Sequence, residues 1–185
     1  MVPFLDRLSR FSLRMLQRFF PGRGESLLFE IDLEQRRPVT GPFIQGEFRL
    51  VCQEELSDLE EQLPLQLLSF FRERFSMRKD LMIGYFVSDS LVYWGWVSFN
   101  EAYFEPDLNS WIKIPANAGY IYDTQTVPAF QRNGIHTAGI LHLLELIKER
   151  GKEKATILIR RDNRYAIKAI RHFNPRCLGT LRKHE

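Results

Sequence analysis

The chain has 185 residues, of which 44% are hydrophobic and 26% are charged, and its formal net charge is +3. A chain of this length and composition can bury a sizeable core as one domain, which argues against a disordered or collagen-like protein. No run of residues reaches the ~18 apolar positions of a membrane span. The two cysteines, Cys52 and Cys177, lie far apart and show no CxxC or Cys/His spacing, so they suggest neither a zinc site nor a disulfide framework. We therefore expect a cytoplasmic protein without a metal site.

The small net charge conceals a strong polarity along the chain. Residues 1–24 carry five basic residues and one acidic residue, residues 25–144 carry nine and seventeen, and residues 145–185 carry twelve and five. The weak total argues against a nucleic-acid-binding domain. The excess of acidic residues in the middle segment weakly favours a cationic partner.

An amphipathic helix is predicted near the N-terminus. The apolar residues of segment 4–20 recur at spacings of three and four, whereas its four arginines lie on another face. Such a helix can pack on the rest of the domain or lie on an anionic membrane or nucleic acid, and we favour packing over peripheral membrane contact. We divide the chain into this basic helix, residues 1–24, and a single folded domain, residues 25–185.

The rest of the chain alternates strand-like and helix-like segments. Short apolar runs and runs with a period of two predict strands at 27–33, 46–52, 80–89, 91–100, 120–127, 155–160 and 177–181. Helices are predicted at 54–76 with a break or kink at Pro64, at 135–150 with Gly151 after its end, and at 163–173. Residues 101–117 are predicted to be irregular. This order indicates a mixed α/β domain.

Residues 120–136 carry the strongest functional signal. A strand that ends near Val127 leads through a short loop containing Gly134 directly into a helix. The first N–H groups of a helix lack intrahelical partners and form the positive end of its dipole, so this helix start is suited to phosphate. Gly134 lets the backbone approach a ligand closely, and Arg132 adds a cation. The spacing matches neither a P-loop nor a dinucleotide-binding fingerprint.

The strand 120–127 is too polar for a central strand, which normally reads as a continuous aliphatic run. Strict alternation divides its residues between two faces, one with Tyr120, Tyr122, Thr124 and Thr126 and the other with Ile121, Asp123, Gln125 and Val127. Polar side chains on a buried strand are expected to line a cavity.

The pattern Pro128-x-x-Gln131-x-x-Gly134-x-His136, between a strand and a helix, resembles motif A of the GNAT acyltransferase superfamily. Strand 155–160, followed by Asn163-x-x-Ala166 at a helix start, resembles motif B of that superfamily. The resemblance implies an α/β fold with a central mixed, largely antiparallel sheet of six to seven strands and helices on both faces. It also implies an acetyl-CoA-dependent N-acetyltransferase.

The resemblance further implies where acetyl-CoA, the co-substrate, binds. The loop and the first helical turn would hold its pyrophosphate, the strand end would pair with the pantetheine arm and supply an oxyanion donor, and an asparagine would contact the pantetheine. The residues implied are Thr126, Val127, Gln131, Arg132, Asn133, Gly134, Ile135, His136, Thr137 and Asn163. The basic residues of segment 145–185 are expected around this site, where they would meet phosphates.

Proton transfer is harder to assign. Many family members place a tyrosine seven residues after the motif B asparagine to protonate the leaving thiolate, but this chain has Ile170 there. Tyr165 and His172 are the candidate substitutes.

A general base must accept the proton of the attacking amine. We predict Asp123, or Tyr122 acting through water, with Glu101 and Glu105 as alternatives.

The expected acceptor is a primary amine, either on a small molecule or at a peptide N-terminus, and a homodimer is compatible with the resemblance. The alternative function is a GNAT-like module that binds acyl-CoA without turnover.

Overall fold

The structure is a computed structural model that describes residues 25–34 and 41–183. The helix predicted at 4–20 lies outside the described residues, and the division at residue 24 stays a prediction. Among the described residues, none of the helices is long and apolar enough to cross a membrane.

The described residues form nine strands and three α-helices. The strands are β1 Glu25–Asp32, β2 Glu47–Val51, β3 Leu81–Val87, β4 Ser90–Ser98, β5 Ala102–Glu105, β6 Ser110–Lys113, β7 Ala118–Thr126, β8 Lys154–Arg160 and β9 Arg176–Arg182. The helices are α1 Leu65–Glu73, α2 Ile135–Glu149 and α3 Arg164–Ile170.

Seven of these strands form one sheet in the order β2-β3-β4-β7-β8-β1-β9, and β5 pairs with β6 in a separate hairpin. Neighbours in the large sheet are antiparallel except β7 and β8, which are parallel and are connected through α2. The mixed, largely antiparallel sheet predicted above is confirmed, and β7 lies at its centre.

Helices cover both faces of the sheet, as predicted. On one face, α2 and α3 bury aliphatic side chains such as Leu143 and Ile170 against Ile121 of β7. On the other face, α1 buries Phe71 against an aromatic layer that includes Trp96. Burial of apolar area on both faces of β7 makes this strand the structural centre of the domain.

Several predicted boundaries rest on local signals that the structure confirms. The hairpin predicted from strands 80–89 and 91–100 is present, but its turn lies at Ser88 and Asp89, one residue earlier than the predicted pair Asp89-Ser90, with positive φ angles of 47° and 63°. Gly151 has a φ of 72° just after α2, where its N–H and the next one bond back to the last turn. The side chain of Asn163 accepts a hydrogen bond from the N–H of Ala166 at 3.1 Å and caps α3.

Two predictions were wrong in part. The break predicted at Pro64 is present, but the part before it is not α-helical, because Gln53–Ser57 is a 3₁₀ helix and α1 begins only after Pro64. Proline lacks an N–H and fixes its own φ, so it starts a helix more readily than it continues one. Residues 101–117 are not irregular, because they contain the hairpin β5–β6, whose four-residue strands are too short to display a period.

Candidate active site

A wedge-shaped gap opens between the parallel strands β7 and β8. Their pairing covers only residues 118–121 of β7 and 154–157 of β8. Beyond Ile121, β7 continues to pair with β4, whereas β8 continues to pair with β1. The backbone groups that would join the two strands past this point have no strand partner there, so the gap is a natural place for a ligand.

A β-bulge in β7 changes which way the polar side chains point. The register with β4 shifts between Trp94 and Trp96, and Asp123 has a φ of 43°. An extra residue in a strand turns the following side chains to the opposite face. Asp123 accordingly bonds to Arg74 on the α1 side, whereas Thr124 contacts His136 at the start of α2. The alternation predicted for this strand is therefore wrong beyond Tyr122.

Two cavities meet at the wedge. The first, which we call the tyrosine cavity, has a volume of about 300 Å³ and lies beside Tyr103, Tyr120 and Tyr122. The second, the loop cavity, has a volume of about 550 Å³ and lies beside the loop that precedes α2. Both are lined by Thr124, His136, Asn163 and Ala166. The expectation that the polar central strand lines a cavity is confirmed.

The loop cavity collects most of the residues that the sequence implied for acetyl-CoA. Its lining includes Thr126, Gln131, Arg132, Gly134, Ile135, His136, Thr137 and Asn163. Val127 and Asn133 are not among its lining residues. The N–H of Val127 donates to the carbonyl oxygen of Val92 at 2.8 Å, and the side chain of Asn133 bonds to nearby carbonyl oxygens of its own loop.

The polar groups of the loop cavity suit an anionic, extended ligand. Gly134 has a φ of 76° and is the N-cap of α2, and no side chain within the described ranges caps this helix end. The buried hydroxyl of Thr126 has no hydrogen-bond partner in the described part of the chain. Arg132 and Lys168 add positive charge to the lining. A ligand with phosphate and amide groups would satisfy this arrangement.

His136 lies where the two cavities meet. Its Nε2 is 3.2 Å from Oγ1 of Thr124, and its ring meets the ring of Tyr93 edge-on, with centroids 6.1 Å apart. The side chain therefore points toward β7 and the wedge.

Two tyrosines that line the tyrosine cavity each bond to a carboxyl group. The hydroxyl of Tyr120 donates to Glu105 at 3.0 Å, and the hydroxyl of Tyr122 donates to Asp80 at 2.6 Å. Burial raises the pKa of the Glu105 carboxyl and the pKa of the Asp80 carboxyl above their usual values. Burial likewise raises the pKa of the Tyr122 phenol. Glu105 lines the cavity, whereas Asp80 lies behind Tyr122.

Asp123 is held in an ion pair. Its Oδ2 accepts from Nη1 of Arg74 at 2.5 Å, and its Oδ1 accepts from the amide of Gln125 at 2.8 Å. Both carboxylate oxygens of Asp123 are therefore engaged by neighbouring donors.

The other candidates for proton transfer are dispersed. Glu101 lines neither cavity, and Ile170 is buried in the core. Tyr165 and His172 both line the loop cavity, and Tyr165 is 81% exposed.

Three residues of the site, Arg74, Asp80 and Tyr103, were not predicted from the sequence. No short-range pattern marks them, since each reaches the site from another element.

The basic C-terminal segment does not surround the loop cavity as expected. Most of its ion pairs are made with acidic residues of β1 or of the turn that follows β1. These pairs are Lys148–Glu34, Lys154–Glu30, Arg176–Glu30, Arg161–Glu25 and Arg182–Glu25. From this segment, Lys168 is the cation that lines the loop cavity. The segmental charge therefore mainly reflects ion pairs at the sheet edge.

Comparisons with known proteins give matches of fold alone. No family model and no curated protein sequence matches the chain. Among solved structures, an acetyltransferase of the GNAT family from Colwellia psychrerythraea superposes with a TM-score of 0.58 at 15% identity, over 85% of this chain and 54% of that one. The protein has the GNAT fold.

The same GNAT fold occurs in other solved structures. A putative GNAT acetyltransferase from Novosphingobium aromaticivorans matches with a TM-score of 0.56 at 13% identity, over 85% of this chain and 62% of that one. An aminoglycoside acetyltransferase from a soil metagenomic sample, in complex with sisomicin, matches with a TM-score of 0.52 at 14% identity, over 70% of this chain and 88% of that one. The chain spans 59% and 49% of the lengths of two further, larger matches.

Proposed function

We propose that the protein transfers the acetyl group of acetyl-CoA to a primary amine by direct attack in a ternary complex. The observation that carries this proposal is the meeting of two cavities at the wedge between β7 and β8. A thioester placed at the junction would have its CoA portion in the loop cavity and its acetyl carbon open to the tyrosine cavity. Two reactants held on either side of one opening gain the rate advantage of proximity.

The loop cavity fits acetyl-CoA. The helix end at Gly134, the unpartnered hydroxyl of Thr126, and the cations Arg132 and Lys168 would meet its phosphates and polar arm. Backbone groups of β7 beyond Ile121, left without β8 as a partner, would pair with the amides of the pantetheine. Asn163 uses its side-chain oxygen as a helix cap, which leaves its amide N–H groups as donors.

The reaction requires one proton acceptor. The ammonium of the acceptor loses one proton to the base, the amine nitrogen bonds to the acetyl carbon, the carbon–sulfur bond breaks, and the nitrogen loses a second proton as the CoA thiolate takes one up. We propose Glu105 as the base in preference to Asp123, because burial raises the pKa of Glu105 while Arg74 holds Asp123 as an ion pair. Tyr122 donates to Asp80 and would orient the acceptor as a positioning residue.

The size of the tyrosine cavity favours a small acceptor. A volume of about 300 Å³ is at the lower end of small-molecule sites. The GNAT fold is shared with an aminoglycoside acetyltransferase, which supports a small-molecule amine over a peptide N-terminus.

Two measurements test the proposal. Calorimetry should detect acetyl-CoA binding, and Thr126→Val should weaken it by about 5- to 10-fold, the loss expected for one hydrogen bond. A thiol-release assay with a panel of amines should then detect free CoA that depends on the amine. Binding without amine-dependent CoA release would support the alternative, a non-catalytic acyl-CoA-binding module. Absence of acetyl-CoA binding would refute both.

A further inference from the structure

Arg74 is a cation of the tyrosine cavity that the proposed chemistry does not use. It follows α1 in the π-helical turn Arg74–Arg78, and its side chain is 15% exposed. Its Nη1 donates to Asp123, which is its side-chain hydrogen bond within the described ranges. Its other side-chain nitrogens are not among the buried polar atoms of the described residues that lack a hydrogen-bond partner. Since Arg74 lines the tyrosine cavity, these nitrogens are within reach of a ligand bound there.

Two aromatic rings lie within cation–π distance of this guanidinium. Its central carbon lies 5.2 Å from the ring centroid of Trp96 and 5.0 Å from that of Tyr122. The five N–H groups of an arginine lie in the plane of the group, so the rings do not compete for them. Asp123 uses one edge, and the remaining edge offers parallel donors that match the two oxygens of a carboxylate.

The second arginine of the cavity lining does not offer such an edge. Arg160 directs Nε and Nη2 to the two oxygens of Asp162, at 3.1 and 2.5 Å, in a bidentate pair. Its fork is therefore already occupied by a carboxylate of the protein. Of these two lining arginines, Arg74 is the one whose remaining donors are suited to a ligand.

We propose that the acceptor is a free α-amino acid, whose carboxylate binds the open edge of Arg74 and whose amino group lies beside Asp123. This inference rests on the proposed acetyl transfer. An α-amino acid carries its two opposite charges on one carbon atom, and Arg74 and Asp123 present two opposite charges in direct contact. The pairs match charge for charge. An amine without a carboxylate would instead add a positive charge beside the Arg74–Asp123 pair and leave the open edge of Arg74 without an anion.

Asp123 lies close to the junction of the two cavities, where the amino group of the acceptor has to react. Asp123 precedes Thr124, which lines both cavities at their junction. An amino group beside Asp123 would therefore lie next to the opening where the acetyl carbon is expected. The side chain of the amino acid would then face the apolar surface formed by Leu158 of β8 and the ring of Tyr103.

The test compares L-amino acids with their α-amides. The common L-amino acids and the corresponding amides are assayed as acceptors by CoA release, and their binding is measured by calorimetry without acetyl-CoA. We expect the best amino acid to exceed its amide by about 10- to 100-fold in kcat/KM, the worth of a charge-assisted hydrogen bond. Amides or diamines that react as well as amino acids would overturn the inference and leave acetyl transfer intact.

Variants of Arg74 sharpen the test. Arg74→Gln should abolish the preference for the amino acid over its amide. Arg74→Lys, which keeps the positive charge but lacks the parallel N–H donors of a guanidinium, should retain part of this preference. Arg72→Gln is the matched control, because Arg72 lies on the same segment, is exposed and pairs with Glu60. An unchanged preference in Arg74→Gln would refute the inference. If Arg74→Gln does not fold, the comparison of acid with amide in the wild-type protein still decides.

The two proposals fail in different ways. If no amine releases CoA, the proposed acetyl transfer is wrong, but calorimetry still tests whether Arg74 holds an amino acid. If neither activity nor binding separates acids from amides, the assignment of Arg74 is wrong.

Discussion

Helix α2 is expected to depend on the absence of a side chain at Gly139. A Cβ atom at this position would lie 2.2 Å from Cζ, 2.4 Å from Cε1 and 2.6 Å from the hydroxyl of Tyr93. Tyr93 is completely buried, and its hydroxyl also lies 2.6 Å from the place of a Cβ at Gly95. The ring is therefore enclosed between α2 and β4, with no open space into which it can turn.

The expected cost of Gly139→Ala follows from two opposing effects. Overpacking of a rigid, enclosed ring costs up to about 3 kcal/mol. Alanine gains about 1 kcal/mol over glycine in a helix interior. The net loss in the free energy of unfolding is then about 2 kcal/mol, which corresponds to a decrease in Tm of about 4 to 8 °C for a chain of this size.

Thermal and urea denaturation of the purified variant measure this loss. Gly179→Ala is the control, because a Cβ there meets nothing within 4 Å, and we expect it to change stability by less than about 0.5 kcal/mol. Since α2 carries the loop at Gly134, displacement of the helix should also weaken acetyl-CoA binding. A Gly139→Ala protein at least as stable as the wild type would refute this account of the packing.

Three further predictions concern buried polar groups. Tyr93→Phe should raise the free energy of unfolding by about 1 kcal/mol, because the buried hydroxyl has no partner among the described residues; urea unfolding measures it, and a loss of stability would contradict it. Glu105→Gln should lower kcat/KM by about 100-fold or more and remove the acidic limb of its pH profile, whereas Asp123→Asn should keep that limb; the reverse pattern would make Asp123 the base. Burial raises the pKa of Asp80 in the folded state, so the folded protein keeps a proton that the unfolded chain releases above pH ~4, and stability falls as the pH rises from there. The free energy of unfolding, measured between pH 4 and 7 at about 25 °C, should therefore decrease less with pH in Asp80→Asn than in the wild type. An unchanged dependence on pH would exclude Asp80 as its cause.

The sequence determined features that depend on neighbouring residues. Pro64 interrupts the helical segment 54–76, Gly151 follows the end of α2, and Asn163 caps α3, because each acts on backbone within a few positions of itself. The motif from Pro128 to His136 is also local, since one strand, one loop and one helix start place its groups together.

The acceptor side of the site was decided by tertiary structure. Arg74 reaches Asp123 across 49 positions of sequence, and Tyr122 reaches Asp80 across 42. Glu105 reaches Tyr120 from a hairpin too short to display a period. Such contacts depend on how α1 and β5–β6 pack over the sheet, and no short-range pattern encodes that packing.

The bulge at Asp123 shows the physical limit most directly. A period of two assigns each side chain of a strand to a face only while the register is regular. One extra residue in β7 places Asp123 with Arg74 and Thr124 with His136. The residues of β7 therefore predicted correctly that a polar cavity lies beside this strand. They predicted incorrectly which face of the sheet Asp123 and Thr124 occupy, because a bulge depends on the neighbouring strand as well as on the strand itself.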